Sequence, residues 1–413
     1  LTVAALLVPA GAPAAAAADV VGGPRLAGPR TVVGSAATPL PDVAAAAWVV
    51  ADADTGEILA AKAPHTLHRP ASTLKTLTAV TLMPELDPAA VHKVTAAEQA
   101  QVYGSRAGIV VGARYTVDDL WHGLLLPSGN DAAAALAAEY GGLRKTVKAM
   151  NAKARQLRAL DTTVRNPSGL DADGQYTSAY DLALLARAAL ALPEFRTISG
   201  TVSYDFPGTM PKKGKKRQTY KIYGQDRLLN DGYRGIIAGK TGYTTLAGRT
   251  FWVAARRHGH TVLVTLLGIT EASETAAAKL LTWGLRNAAD PDPVGELVDP
   301  VPPPPPAAPA ALAPTGAPAG ADSPFGHVAG DATTGDRAAA GTGAGWLPAL
   351  LVLLLAALGA LAWFALRGSR ASAARDEQPP AAAPAPTAVP VERAGPASPT
   401  GNVMVVRPPG RPD

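Results

Sequence analysis

The chain has 413 residues, with 38 Lys or Arg against 33 Asp or Glu and a formal net charge of +5. It contains no cysteine, which excludes disulfides, thiol nucleophiles and thiolate metal sites. The charge is modest and gathers in PKKGKKRQTYK (211–221), which reads as a solvated loop, or else as a contact for an anionic envelope polymer; no nucleic acid is expected as a partner.

The opening LTVAALLVPAGAPAAAAA (1–18) is an apolar run followed by small residues. It is expected to be the apolar core and cleavage zone of a secretory signal with a truncated start. A Gly/Pro/Ala leader is expected over 19–42. Two strands around an Asp-Thr-Gly turn are then predicted in AAAAWVVADADTGEILAAKAP (44–64). STLKTLTAVTLM (72–83) predicts a helix that stops before Pro84. Thr116 and Asp119 form a capping box ahead of VDDLWHGLLL, and Ser178 and Asp181 form another ahead of LALLARAALAL. RTFWVAARRHGHTVLVTLLG (249–268) reads as two strands joined at His258-Gly259-His260, followed by a closing helix in TEASETAAAKLLTWGLRN. Strands open the block, helices fill it and strands return. That order predicts an α+β domain over 43–289, an antiparallel sheet whose first and last strands pair, flanked by helices.

From 290 to 345 the chain is a Pro/Ala-rich linker by composition. WLPALLVLLLAALGALAWFAL (346–366) carries no charge over the length of about 20 residues that a bilayer span requires. Trp346, Trp363 and Phe364 lie near its ends, and Arg367, Arg370 and Arg375 follow it. These features predict a single-pass helix in the cell membrane, a disordered cytoplasmic tail over 367–413 and an extracellular position for the 43–289 domain.

Three short strings carry chemistry. In Ser72-Thr73-Leu74-Lys75 a hydroxyl and an amine share one helical face. The amine can serve as base if its pKa falls by about 3 units, roughly 4 kcal/mol, which burial and a second cation would supply. In LLLPSGNDAAAALAAEYGG (124–142) an apolar helix breaks at Pro127-Ser128-Gly129-Asn130 and then resumes. A plain helical hairpin would need such a turn, but so would a pair of polar side chains aimed into a cleft. Lys240-Thr241-Gly242 is expected on a strand, where Lys240 supplies the second cation and Gly242 allows close approach of a substrate backbone. It is not a phosphate loop, because the glycine that motif requires falls at Arg234. His65 with His68 and His258 with His260 lack an H-E-x-x-H setting, so neither a metal nor any other cofactor is expected.

Ser-x-x-Lys, Ser-x-Asn and Lys-Thr-Gly in this order are the signature set of the penicillin-recognising serine enzymes. PASTLKTLTA, LLPSGNDAA, NPSGLDADGQYTSAYDLALLARA, GKTGYTTLAG and KLLTWGLRN together resemble the serine-type D-alanyl-D-alanine carboxypeptidases, the low-molecular-mass penicillin-binding proteins of peptidase family S11. The Ala/Gly/Pro/Arg-rich composition and the C-terminal anchor resemble those of high-GC Gram-positive bacteria. The resemblance implies a β-lactamase/transpeptidase-like α/β/α sandwich, peptidoglycan stem peptides as substrates, and β-lactams as acylating mimics. It implies Ser72 as nucleophile, Lys75 as its base and Ser128 as proton relay. It implies substrate binding by Asn130, Lys240, Thr241, Gly242, Tyr243 and Thr244, with the N–H groups of Ser72 and Tyr243 as oxyanion hole. One departure stands out: the arginine that familiar members carry before the last helix is missing from GITEASETAAAK, leaving Arg249 or Arg256 to substitute. The same residues would serve a D,D-endopeptidase. A class A-like β-lactamase would need a glutamate in RNPSGLDADG, which has only Asp171 and Asp173. A silent wall-binding module would have no use for an intact Ser72–Lys75 pair.

Overall fold

The computed structural model describes residues 20–302. In chain order the strands are β1 (Thr31–Val33), β2 (Ala45–Asp52), β3 (Glu57–Lys62), β4 (Val91–Lys93), β5 (Arg114–Thr116), β6 (Ser203–Pro207), β7 (Thr219–Tyr223), β8 (Ile236–Thr244), β9 (Gly248–Arg257), β10 (His260–Ile269) and β11 (Gly295–Glu296). The helices are α1 (Lys75–Leu82), α2 (Ala96–Gln99), α3 (Val117–Leu125), α4 (Asn130–Glu139), α5 (Leu143–Gln156), α6 (Ala179–Leu190), α7 (Pro193–Ser199), α8 (Arg227–Asn230) and α9 (Ser273–Asn287).

The main sheet runs β1-β3-β2-β10-β9-β8, with β11 also on β3, and every pairing is antiparallel. The first and last strands of the expected domain do meet, as β2 against β10 with Val50 opposite Val264. Because side chains alternate along a strand, each face of the sheet carries its own core. Ala47, Val49 and Ala51 face a cluster with α1, α3, α4 and α6, whereas Trp48 and Val50 face one with Leu280, Leu281 and Trp283 of α9. Helices on both faces give the expected three-layer α/β/α arrangement.

β9 and β10 turn at His258 and Gly259, whose φ angles of +51° and +88° suit the hairpin twist. The capping box at Thr116 is complete: its hydroxyl accepts from Asp119 N and Asp119 accepts from Thr116 N. The expected box at Ser178 is only half made. Ser178 accepts from Asp181 N, but the buried Asp181 carboxylate turns instead to the Thr162 hydroxyl at 2.7 Å.

The folded unit also passes both expected edges. Residues 20–42 are not a bare leader, since Leu26 is buried and β1 pairs with β3. Nor does a bare linker begin at 290: β11 pairs with β3, Val294 and Leu297 are buried, and Ser35 N donates to Asp292. Among the described residues no helix is long and apolar enough to cross a membrane. The expected signal (1–18), membrane helix (346–366) and tail (367–413) lie outside the described residues, as does most of the expected linker.

Candidate active site

Ser72 lies in a 3-10 turn, Ala71–Leu74, that runs straight into α1, so Lys75 is the first residue of the α-helix and faces back over the serine. The turn is anchored to the sheet. Thr250 on β9 donates to Pro70 O at 2.9 Å, and Trp252 Nε1 donates to Thr76 at 2.7 Å. β8, the edge strand, lies directly against it: a Cβ at Gly242 would stand 2.4 Å from Thr250 Oγ1 and 2.8 Å from Ser72 N. Only glycine admits this approach.

Lys75 is fully buried, and its Nζ meets Ser72 Oγ at 3.0 Å, Asn130 Oδ1 at 2.7 Å and Ser168 O at 2.7 Å. Two of these partners are carbonyl oxygens, which only accept. A neutral amine gives its two N–H groups to them, which leaves its lone pair facing the Ser72 hydroxyl. Burial holds Lys75 well below the usual lysine range, and the Lys240 charge lowers it further against the opposing pull of Asp131. The geometry and the electrostatics therefore agree on a base aimed at a nucleophile.

The break between α3 and α4 positions a second pair. Ser128 takes a left-handed φ of +61°, a strained conformation for a serine, which turns its hydroxyl out of the helix path. Ser128 and Lys240 are each 2% exposed, and Lys240 Nζ donates to Ser128 Oγ at 3.0 Å and to Thr241 O at 2.9 Å. Burial pushes Lys240 down to about 7, although the Asp226 carboxylate pulls the other way. Asn130 starts α4, accepts from Lys75 and donates to Tyr103 O at 2.7 Å, so both ends of its amide are engaged.

Ser72, Ser128, Thr241, Gly242 and Tyr243 line one cleft of about 440 Å³, together with Ser105, Arg227 and Arg249. Of the two arginines offered as substitutes, Arg249 lines this cleft, opposite Tyr243 in the ladder, while Arg256 lines a separate hollow with Arg187 and Arg196. Thr244 is drawn elsewhere: its hydroxyl donates to Asp171 Oδ1 at 2.9 Å and accepts from Ala247 N.

Several residues that shape the site carry no motif. Asp131 is wholly buried, and its carboxylate accepts from the N–H groups of Ala107, Gly108 and Ile109, fixing the loop that brings Ser105 to the cleft and the Tyr103 carbonyl to Asn130. Gln175 Oε1 accepts from Arg165 N and Asn166 N, and Asn166 Oδ1 accepts from Ser168 N and Gly169 N. These bonds present Ser168 O to Lys75. The one available signal was a carboxylate in the first turn of an alanine-rich helix, at Asp131.

A serine backed by a buried lysine, with a second lysine–serine pair across an edge strand, defines a serine hydrolase that works through an acyl-enzyme. Residues 33–270 match the family Peptidase_S11, D-alanyl-D-alanine carboxypeptidase, and the chain belongs to that family. It is 40% identical over 255 residues to the D-alanyl-D-alanine carboxypeptidase DacB2 of Mycobacterium tuberculosis, covering 60% of this chain and 84% of that protein. To the carboxypeptidase DacD of Escherichia coli it is 33% identical over 265 residues, with 60% of this chain and 64% of that protein covered. Among solved structures it resembles a D-alanyl-D-alanine carboxypeptidase from Mycobacterium tuberculosis, with a TM-score of 0.60 and 38% identity over 64% of this chain and 99% of the other. It also resembles the Streptomyces K15 DD-transpeptidase, with a TM-score of 0.57 and 30% identity over 60% and 99% of the two chains.

Proposed function

We propose that this chain removes the terminal D-Ala from peptidoglycan stem peptides ending in D-Ala-D-Ala, and that β-lactams acylate the same serine. The observation that carries the reading is the buried Lys75 nitrogen, held by two carbonyl acceptors and 3.0 Å from Ser72 Oγ. Ser72 attacks the penultimate D-Ala carbonyl while its proton passes to Lys75. As the C–N bond breaks, the Ser128 hydroxyl, held by Lys240, hands a proton to the departing amine and takes in its place the proton that Lys75 holds. Water then attacks the ester, frees the shortened peptide as a carboxylate and returns Ser72 to its starting form. The N–H groups of Ser72 and Tyr243 hold the oxyanion, each such donor being worth about 2.7–4 kcal/mol. Asn130 and the β8 edge position the peptide. Thr241 and Arg249 meet its terminal carboxylate, Arg249 having no carboxylate partner among the described residues.

The test is D-alanine release from a pentapeptide by the full chain and by Ser72→Ala, with benzylpenicillin uptake measured alongside. Release by the unsubstituted chain alone supports the reading. Penicillin uptake without release points to cleavage of crosslinked peptides, and neither from a folded chain makes the domain a silent binder. The charge-free run 346–366 and the arginines after it support a single-pass anchor with the catalytic unit outside the cell. Alkaline carbonate extraction together with protease shaving of intact cells tests that topology, and a shielded domain refutes it.

A further inference from the structure

Beside Lys240, on the wall of a second and much smaller cavity, sits a carboxylate that the reaction described above does not use. Asp226 caps α8, its Oδ1 accepting from Leu229 N at 3.3 Å. The residue is 7% exposed, and no group among the described residues donates to its Oδ2. That oxygen lies against the backbone just before Lys240, so closely that a Cβ at Gly239 would stand 2.4 Å from it. Asp226 and Lys240 share the wall of a cavity of about 10 Å³ with Leu125, Leu126 and Ser199, and they are the only titratable groups on it. So small a space admits no substrate group, so Asp226 does not meet the substrate itself.

We infer that Asp226 is a positioning residue for the reaction: its buried carboxylate keeps the Lys240 ammonium charged, and the charged Lys240 in turn keeps Lys75 free of its proton. The inference rests on the acyl-enzyme reading above. The surrounding charges leave this task to Asp226. Lys75 on α1 repels Lys240, Asp131 on α4 acts on Lys75, and Arg227 on α8 is paired with Glu274 of α9 at 3.1 Å. Burial is the largest influence on both partners and pushes each toward neutrality; their mutual attraction opposes it, and the balance leaves Asp226 up at about 6 and Lys240 down at about 7. Without the carboxylate Lys240 loses its proton at lower pH, releasing Ser128 and letting Lys75 regain a proton.

The experiment follows the acylation rate by benzylpenicillin from acid to alkaline pH in the full chain and in Asp226→Asn. The alkaline limb should move to lower pH by about one unit, the low end of what a neighbouring opposite charge does, while the acid limb stays in place. Asp226→Ser, which keeps a capping hydroxyl, should move it likewise if Asp226→Asn does not fold. In Lys240→Arg the guanidinium cannot deprotonate, so the alkaline limb should disappear and adding Asp226→Asn should no longer move the profile. A uniform loss of rate with unmoved limbs overturns the inference, and so does an alkaline limb that survives Lys240→Arg. Absence of acylation in the unsubstituted chain overturns the acyl-enzyme reading as well.

Discussion

Lys75 and Lys240 are both buried, yet the proposed reaction asks opposite charge states of them. Lys75 acts as a base only above its depressed pKa, and Lys240 holds Ser128 as a cation only below its own, about 7. Acylation by benzylpenicillin should therefore trace a bell in pH, rising as Lys75 loses its proton and falling as Lys240 loses its own. A rate that climbs monotonically through alkaline pH would show that Lys240 is not needed as a cation. Gly242→Ala tests the packing of the edge strand on the nucleophile. Its methyl would press on Thr250 Oγ1 and on the N–H groups of Ser72 and Thr73, so acylation should fall about 100-fold, and the thermal midpoint should drop as well, since overpacking of this kind costs about 1–3 kcal/mol. Ser72, Lys75, Ser128 and Lys240 were legible in the sequence because nucleophile, base and relay demand particular side chains at short spacing. Ser168 was not, since it serves through a carbonyl that any residue could supply. Asp131 and Asp226 were not either, because the groups that give them a part in the site, the 107–109 loop for one and Lys240 for the other, come from distant parts of the chain.

Elements, rather than motifs, hold these residues in register. Asp131 ties the first turn of α4 to three successive N–H groups of the 107–109 loop, and each such group left unsatisfied in the interior costs about 1–3 kcal/mol. Asp131→Ala should lower the denaturant midpoint markedly and loosen Ser105 and Tyr103 as well, so penicillin acylation should fall in the fraction that remains folded. Undiminished stability would mean that the loop is held by other contacts. A second clamp joins β4, α2 and α4, where His92 meets Glu98 at 3.0 Å and Glu139 at 2.8 Å. Burial alone would lower the pKa of His92, but the hydrogen bonds to the two carboxylates outweigh it and raise it above 6.5. Its stabilisation is therefore complete below pH 6.5 and is lost as pH rises through the raised value. Amides of β4 and α2 should exchange faster above that window, after correction for intrinsic rates; equal protection on both sides would exclude the clamp. The sequence showed the β9–β10 turn and the Thr116 cap plainly. It hid the β6–β7 hairpin: SYDFP and TYKIY alternate polar and apolar residues, but each spans only five positions, and Lys212, Lys213, Lys215 and Lys216 between them read only as a solvated run.

Across the whole molecule the order strands, helices, strands was enough to predict one antiparallel sheet covered on both faces. The limits of that sheet were not predictable, because Gly/Pro/Ala segments at either end look alike whether they pair or trail. In the structure both ends close on the same strand. β3 gives one side to β2 and the other to β1 and β11, with Ile58 to Ala61 buried on both faces. Arg25 reaches Pro293 O and Val33 O, and Ala37 N donates to Asn287, so the two flanks fasten one another.

A protein trimmed to 44–289 would keep every catalytic side chain and lose both covers of β3. The bared strand, apolar and with a row of unanswered backbone donors and acceptors, is a template for strands of neighbouring molecules. Light scattering at rising concentration should show the 44–289 fragment self-associating more strongly than a 20–302 fragment, and equal behaviour would deny the flanks this part. The unremarkable Gly/Pro/Ala flanks thus act as built-in guards against aggregation, shielding an edge that lies on the opposite side of the sheet from the chemistry.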